Sequence, residues 1–136
     1  MIEVPSNLPA GAQGLSLGGF NLHAGPVYSL PADGDVRRVV LPVGAKHLNG
    51  GGNVHGGVLM TLADIAMSFA ARDVSGAPST ATVSLTCDFV GPGQPDDVLE
   101  ARVRVTRRTR TLVFLSCDIV VGARMIAVAT GLWKIA

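Results

Sequence analysis

Val58 to Arg72 reads VLMTLADIAMSFAAR, and it is the one convincing helix in the chain. Its apolar residues fall on nearly every face rather than along one stripe, so the helix is expected to be buried almost all round. Such a helix needs a large apolar wall, and the flanking sequence offers one. Downstream, Thr80 to Val90, Val98 to Thr109, Leu112 to Val121 and Met125 to Ile135 are runs rich in Val, Ile and Thr. Turn signals part them at Gly91-Pro-Gly-Gln-Pro95, near Arg110 and at Gly122. Alternation is plainest in Glu100-Ala-Arg-Val-Arg-Val105, which predicts one wet and one apolar face. Leu85-Thr-Cys-Asp88 is echoed by Leu115-Ser-Cys-Asp118, as two similar strands of one antiparallel sheet would be.

Upstream, Val27 to Leu30 and Val36 to Val43 read as strands joined through Pro31-Ala-Asp-Gly34. The first 25 residues are rich in Gly, Pro and Asn and show no sustained period. They read as an irregular segment, 1–25, with a short turn of helix around Leu15 to Leu22, ahead of a single domain over 26–136. The order is thus a few strands, one buried helix and four more strands. An α+β arrangement in which a long antiparallel sheet curls around one apolar helix satisfies these patterns, and that is the hotdog fold.

The chain has 136 residues, enough for one domain. Only 15% of them are charged, against a typical value of about 25%. So few charges cover a lone monomer poorly, which points to a homo-oligomer that hides apolar surface. The net charge of +1 argues against a globally basic nucleic-acid binder. Cys87 and Cys117 lack metal or redox spacing and sit in apolar runs, so they read as free buried thiols suited to a reducing cytoplasm. Val4 to Ala32 carries no charge, yet prolines and glycines interrupt it and no basic residue precedes it. It is therefore read neither as a signal nor as a membrane span, and the protein is expected to be soluble and cytoplasmic.

Chemistry concentrates in His47-Leu-Asn-Gly-Gly-Gly-Asn-Val-His-Gly-Gly57 and in Asp64. The glycines do not spell a phosphate-binding motif, and no βαβ unit surrounds them. His47, His55 and Asp64 lack the spacing of a metal-ligand set, so no metal is expected. Acyl chemistry fits better. His55-Gly56-Gly57 opens the helix, where unpaired N–H groups and the positive dipole end can hold an oxyanion. Asp64 is the lone charge in the apolar body of the helix, and a buried carboxylate is costly unless paired or used. Structural roles stand beside these: a helix cap or loop anchor for His55, loop hydrogen bonding for Asn49, and for Asp64 either a bond to the next strand or exposure at a gap.

The set His47, Asn49, Gly52, His55, Gly56, Gly57 and Asp64, at this spacing, resembles the acyl-CoA thioesterases of the hotdog superfamily, in particular the phenylacetate-degradation type. The likeness runs from about Val27 to Ile135. It implies that Asp64 is the general base or nucleophile and that Gly56 offers its N–H to the thioester oxygen. It also implies that Asn49 and His55 orient the thioester, with Gly57 at the substrate, and that Thr82 aligns with a Ser or Thr that holds the attacking water. Geometry adds a separate argument. Gly57 and Asp64 lie roughly 10 Å apart along a helix axis, whereas one carbonyl needs its oxyanion donor and its base each about 3 Å away. One helix cannot supply both, so the site must be shared between subunits of a dimer.

Five of the eleven basic residues fall between Arg102 and Arg110. Arg102 and Arg104 read as an ordinary solvated strand face. Arg107, Arg108 and Arg110 cluster at a hairpin and suit the phosphates of coenzyme A, or else form a plain surface turn. With no aromatic platform beside them, nucleic acid is a poor fit. The expectation is an acyl-CoA thioesterase, acting on an aryl or medium-chain ester, that needs no cofactor because coenzyme A is part of the substrate. The alternative is a non-catalytic acyl-CoA-binding or regulatory protein. A homodimer, assembling further as a tetramer, is the expected state.

Overall fold

The strand runs pair as one antiparallel sheet in the computed structural model, which describes residues 3–136. The elements are β1 (Gln13–Gly14), α1 (Gly19–Ala24), β2 (Tyr28–Asp33), β3 (Val36–Pro42), α2 (Gly56–Ser75), β4 (Thr80–Phe89), β5 (Val98–Arg108), β6 (Leu112–Val121) and β7 (Arg124–Ile135). Across the sheet the order is β1-β2-β3-β5-β6-β7-β4, and the chain is a hotdog-like α+β protein with the sheet packed on α2. Period-2 alternation sets which side chains meet the helix. Leu99, Ala101 and Val103 of β5, with Val113, Leu115, Cys117 and Ile119 of β6, point inward onto Leu59, Leu62, Ala66, Met67 and Ala70 of α2. The helix stops at Gly76, whose φ of 67° allows its N–H to cap Arg72 O.

The two echoing tetrapeptides lie on either side of β7 in the same register: Cys87 and Cys117 both oppose Ala129, and Asp88 and Asp118 both oppose Val128. Two strand spacings part the cysteines by about 10 Å, beyond disulfide reach, and both are free. Burial, aided by Asp118, pushes the Cys117 thiol up to about 12, and burial likewise raises Cys87. Neither is poised as a nucleophile.

Three expectations need correction. First, α2 is not buried all round: Met60 is exposed, and Thr61, Asp64 and Ser68 are half-buried. A single curled sheet reaches round only part of a helix, and this stripe is left open. Second, the N-terminal segment is more ordered than its composition suggests. Gln13 pairs with Ser29, Leu15 N–H donates to Val27 O at 2.9 Å, and Leu15 and Leu17 pack against the core. That extended pairing moves the helical turn from Leu15–Leu22 to Gly19–Ala24. Third, Arg102 does not lie on a plain solvated face, while Arg104 stays exposed as expected. Arg102 bonds Glu100 and Asp33, and Arg104 lies 3.9 Å from Asp118.

Strand β4 ends the sheet with one side unpaired, and Val83 and Phe89 along it, with Val90 just beyond its end, are each more than half exposed. Among the described residues no helix is long and apolar enough to cross a membrane.

Candidate active site

The glycine-rich loop between β3 and α2 is held by its own polar groups. Asn49 Oδ1 accepts from the N–H of Gly51 (2.9 Å) and of Asn53 (3.1 Å), and Gly52 turns the chain at φ 84°. Both lone pairs of that oxygen are spent on the loop. The exposed Asn49 can therefore offer a ligand only its Nδ2 hydrogens. His47 anchors the loop from below. It is 2% exposed, its Nδ1 accepts from Gly44 N–H at 2.8 Å, and its Nε2 lies 2.6 Å from Ala24 O. Those two bonds define the neutral ring with its proton on Nε2, and tie α1 to the loop.

His55 caps α2. Its Nδ1 accepts the Gly57 N–H at 2.8 Å, while its own N–H donates to His47 O at 2.8 Å. With Nδ1 accepting, the imidazole keeps its hydrogen on Nε2, the atom free to meet a ligand. The cap narrows the expected oxyanion site. Gly57 N–H is taken by His55 and Val58 N–H by His55 O, so at the helix start Gly56 N–H is left without an acceptor among the described residues. Phe89 covers this glycine: a Cβ at position 56 would sit 3.2 Å from Phe89 Cζ.

Asp64 does not lie bare in the core. It is half-buried, and Thr82 Oγ1 on β4 donates to its Oδ1 at 2.6 Å. Oδ2 has no hydrogen-bond partner among the described residues. The open stripe of α2 thus presents a carboxylate with one oxygen fixed and the other available. A turn further on, Ser68 Oγ accepts from Trp133 Nε1 at 2.7 Å.

The structure brings Asp64 to Thr82, His55 to Gly57, and Gly56 to Phe89. It keeps Asp64 away from Gly56, since eight residues of helix separate them by about 12 Å. It also keeps the arginines away from both within one chain. Arg108 Nη1 donates to Val74 O at 2.9 Å, at the opposite end of α2 from Gly56. The side chains of Arg107 and Arg110 are exposed and hydrogen-bond no described residue. No cluster of His, Cys, Asp or Glu suited to a metal occurs among the described residues. Phe89 is the site neighbour that sequence reading missed. Its only local signal is an aromatic residue ending a strand just before the Gly91-Pro-Gly93 turn.

Residues 51–127 match the family model described as the thioesterase superfamily. A Pseudomonas aeruginosa protein named as a candidate esterase is 36% identical over 98 residues, 71% of this chain and 73% of that protein. Among solved structures, PaaI of the Escherichia coli phenylacetic acid degradation operon is 25% identical. It superposes with a TM-score of 0.77 over 87% of this chain and 85% of that one. A Streptococcus pneumoniae thioesterase-type protein solved with coenzyme A shares the fold at 23% identity and TM-score 0.73, over 81% of this chain and 88% of its own.

Proposed function

The chain belongs to the thioesterase superfamily, and from that premise we propose that it hydrolyses an acyl-CoA thioester to a free acid and coenzyme A at a site shared between two subunits. One observation carries the reading: the Asp64–Thr82 pair, with its free Oδ2, lies two helical turns from the free Gly56 N–H. The two half-sites also touch β4 at different points, Asp64 at Thr82 and Gly56 at Phe89. Suppose two copies pair antiparallel through this unpaired edge, about a two-fold axis between Leu85 and Thr86. Thr82 of one copy then faces Phe89 of the other, so the carboxylate of one subunit meets the Gly56 amide of its partner. The exposed Val83, Phe89 and Val90 are covered by the same pairing.

In this arrangement the partner's Gly56 N–H receives the thioester oxygen, and the Nε2–H of His55 and the Nδ2 hydrogens of Asn49 orient the ester. Thr82 donates to Asp64 and uses its remaining lone pairs to hold water. Asp64 supplies the base or the nucleophile. As base, it takes the proton from water as the oxygen attacks the carbonyl; the tetrahedral intermediate then collapses, and the thiolate of coenzyme A leaves and takes that proton. The two-fold axis brings the Thr80 end of β4, and with it the hairpin of Arg107, Arg108 and Arg110, toward the partner's Gly56 end. These arginines are proposed to meet the coenzyme A phosphates. A solved fold neighbour holds coenzyme A, which supports the substrate class. Free thiols and few charges suit a cytoplasmic dimer that pairs again as a tetramer.

A non-catalytic acyl-CoA binder is the competing reading, and a pure binder has no use for a carboxylate aimed at a thioester. Incubation with a panel of acyl-CoA esters, read by thiol release, separates the two. Turnover with at least one ester is expected; tight binding of esters without thiol release would overturn the hydrolase reading.

A further inference from the structure

Four asparagines occur in the sequence, Asn7, Asn21, Asn49 and Asn53, and of these Asn49 alone is followed by glycine. Asparagine is thermolabile because the backbone nitrogen of the next residue can attack its Cγ and close a five-membered ring. Two things hold that attack back: the side chain of the next residue, and a hydrogen bond that fixes its N–H. Three of the four asparagines have both. Leu8 N–H donates to Pro5 O at 3.3 Å, Leu22 N–H to Gly18 O at 3.4 Å, and Val54 N–H to Gly93 O at 2.8 Å. Gly50 has no side chain, and its N–H donates to no described residue.

The loop also activates the carbon that is attacked. Asn49 Oδ1 accepts from Gly51 N–H at 2.9 Å and from Asn53 N–H at 3.1 Å. The first bond curls the side chain back over the Gly50 peptide. Together they hold the negative charge that gathers on Oδ1 as a nitrogen adds to Cγ, as oxyanion donors do in acyl transfer. Residues 49–53 are all exposed, so water and base reach the loop.

We propose that Asn49 is a self-modification site: it deamidates through Gly50, and the change switches the active site off. The Gly50 nitrogen gives its proton to solvent base and bonds Cγ. The Cγ–Nδ2 bond then breaks, and the amide nitrogen leaves as ammonia with a proton returned from solvent. Water opens the ring at either carbonyl and leaves an aspartyl or an isoaspartyl residue at position 49. Neither product has the Nδ2 hydrogens that orient the ester, and both put a carboxylate in their place. The isoaspartyl form also adds a carbon to the main chain and displaces the loop that leads to His55. The loss of activity rests on the thioesterase reading above; the chemistry at Asn49 does not.

Gly50→Ala is the matched control, since a Cβ there meets nothing within 4 Å and the backbone has no positive φ. Both proteins are aged in mildly alkaline buffer. Peptide mass spectrometry locates each amide-to-acid conversion, and thiol release from an ester of the panel above is read against each protein's own fresh rate. Conversion at Asn49 should run at least about 10-fold faster than at Asn7, Asn21 or Asn53, and Gly50→Ala should slow it about 10-fold. In the wild type, the activity remaining should equal the fraction of chains with Asn49 intact. Should Gly50→Ala melt early, the other three asparagines of the wild type serve as the control. Conversion at Asn49 no faster than at the other three, or unslowed in folded Gly50→Ala, would overturn the modification. Full activity in converted protein would overturn the switch while the hydrolase reading survives. If no ester is turned over, that reading falls together with the switch, and the mass measurements still decide the modification.

Discussion

Replacing Asp64 by Asn keeps the shape of the side chain and its bond from Thr82 but removes the charge that Oδ2 offers to water. The expected result is a fall in kcat of about 10²- to 10⁴-fold with acyl-CoA binding largely intact, as for a group that acts in the transition state. Steady-state kinetics and equilibrium binding together check this; unchanged turnover would remove Asp64 from the chemistry. Gly56 poses a different question, because nothing about its backbone angles demands glycine. A methyl group there meets the ring of Phe89 at 3.2 Å, and Phe89 is 53% exposed and can swing aside. Gly56→Ala should therefore leave the melting temperature within a few degrees of wild type, helped by the better helix propensity of Ala. The crowded amide should cost about 10- to 100-fold in kcat/KM. A large loss of stability with normal activity would make Gly56 a packing glycine only.

At the scale of elements, β3 and β5 place Arg38 directly opposite Arg102, a repulsive pairing taken alone. Glu100 resolves it by bonding Arg38 Nε and Nη2, both at 2.9 Å, and Arg102 Nη1 at 2.7 Å. The Arg38 bonds first, then the one from Arg102, hold the Glu100 carboxyl below the usual carboxylate range. A carboxyl depressed in the folded state stabilises above its unfolded value near 4.3, and that stabilisation is lost as pH falls through the folded value. Glu100→Gln should cost about 1–2 kcal/mol at pH 7, with the gap to wild type narrowing as pH falls below about 4. Urea unfolding at both pH values measures it; an equal gap at both would mean that charge is not the cause. The unpaired β4 makes the second prediction at this scale. Val83→Lys puts a charge on the exposed edge and should convert dimer to monomer in sedimentation, with loss of activity. A stable dimer would place the interface elsewhere.

The same elements show how far the sequence could be read. The ends of β3 to β7 lie within a residue of the sequence reading because alternation and turn residues are local signals. Strand β2 instead runs on through Pro31 to Asp33, and β1 carries no such signal. Asp64 and Thr82 are each legible through the resemblance, but the hydrogen bond between them is not. The contact of Phe89 with Gly56 and the bond of Arg108 to Val74 O depend on how distant segments pack, and no local pattern encodes them. The open stripe of α2 was misread for a physical reason. Met60, Thr61, Asp64 and Ser68 are too few and too small to register as a polar face. A helix with one open stripe therefore carries the same pattern as one buried on every side.

For the whole molecule, the account stands on the site being divided between two chains. Asp64→Ala removes one half. Asn49→Asp keeps an oxygen for the Gly51 and Asn53 amides but loses the Nδ2 donors and adds a charge beside the ester, which disables the other half. Each variant alone should be inactive. When the two are mixed and allowed to exchange subunits, about half the dimers become heterotypic. Each of these has one site with Asn49 and Gly56 from one chain and Asp64 from the other, all intact, while its second site carries both lesions. With exchange verified by native mass spectrometry, thiol release should return to about a quarter of the wild-type rate. Full exchange with no recovered activity would contradict the shared site and put the chemistry within a single chain.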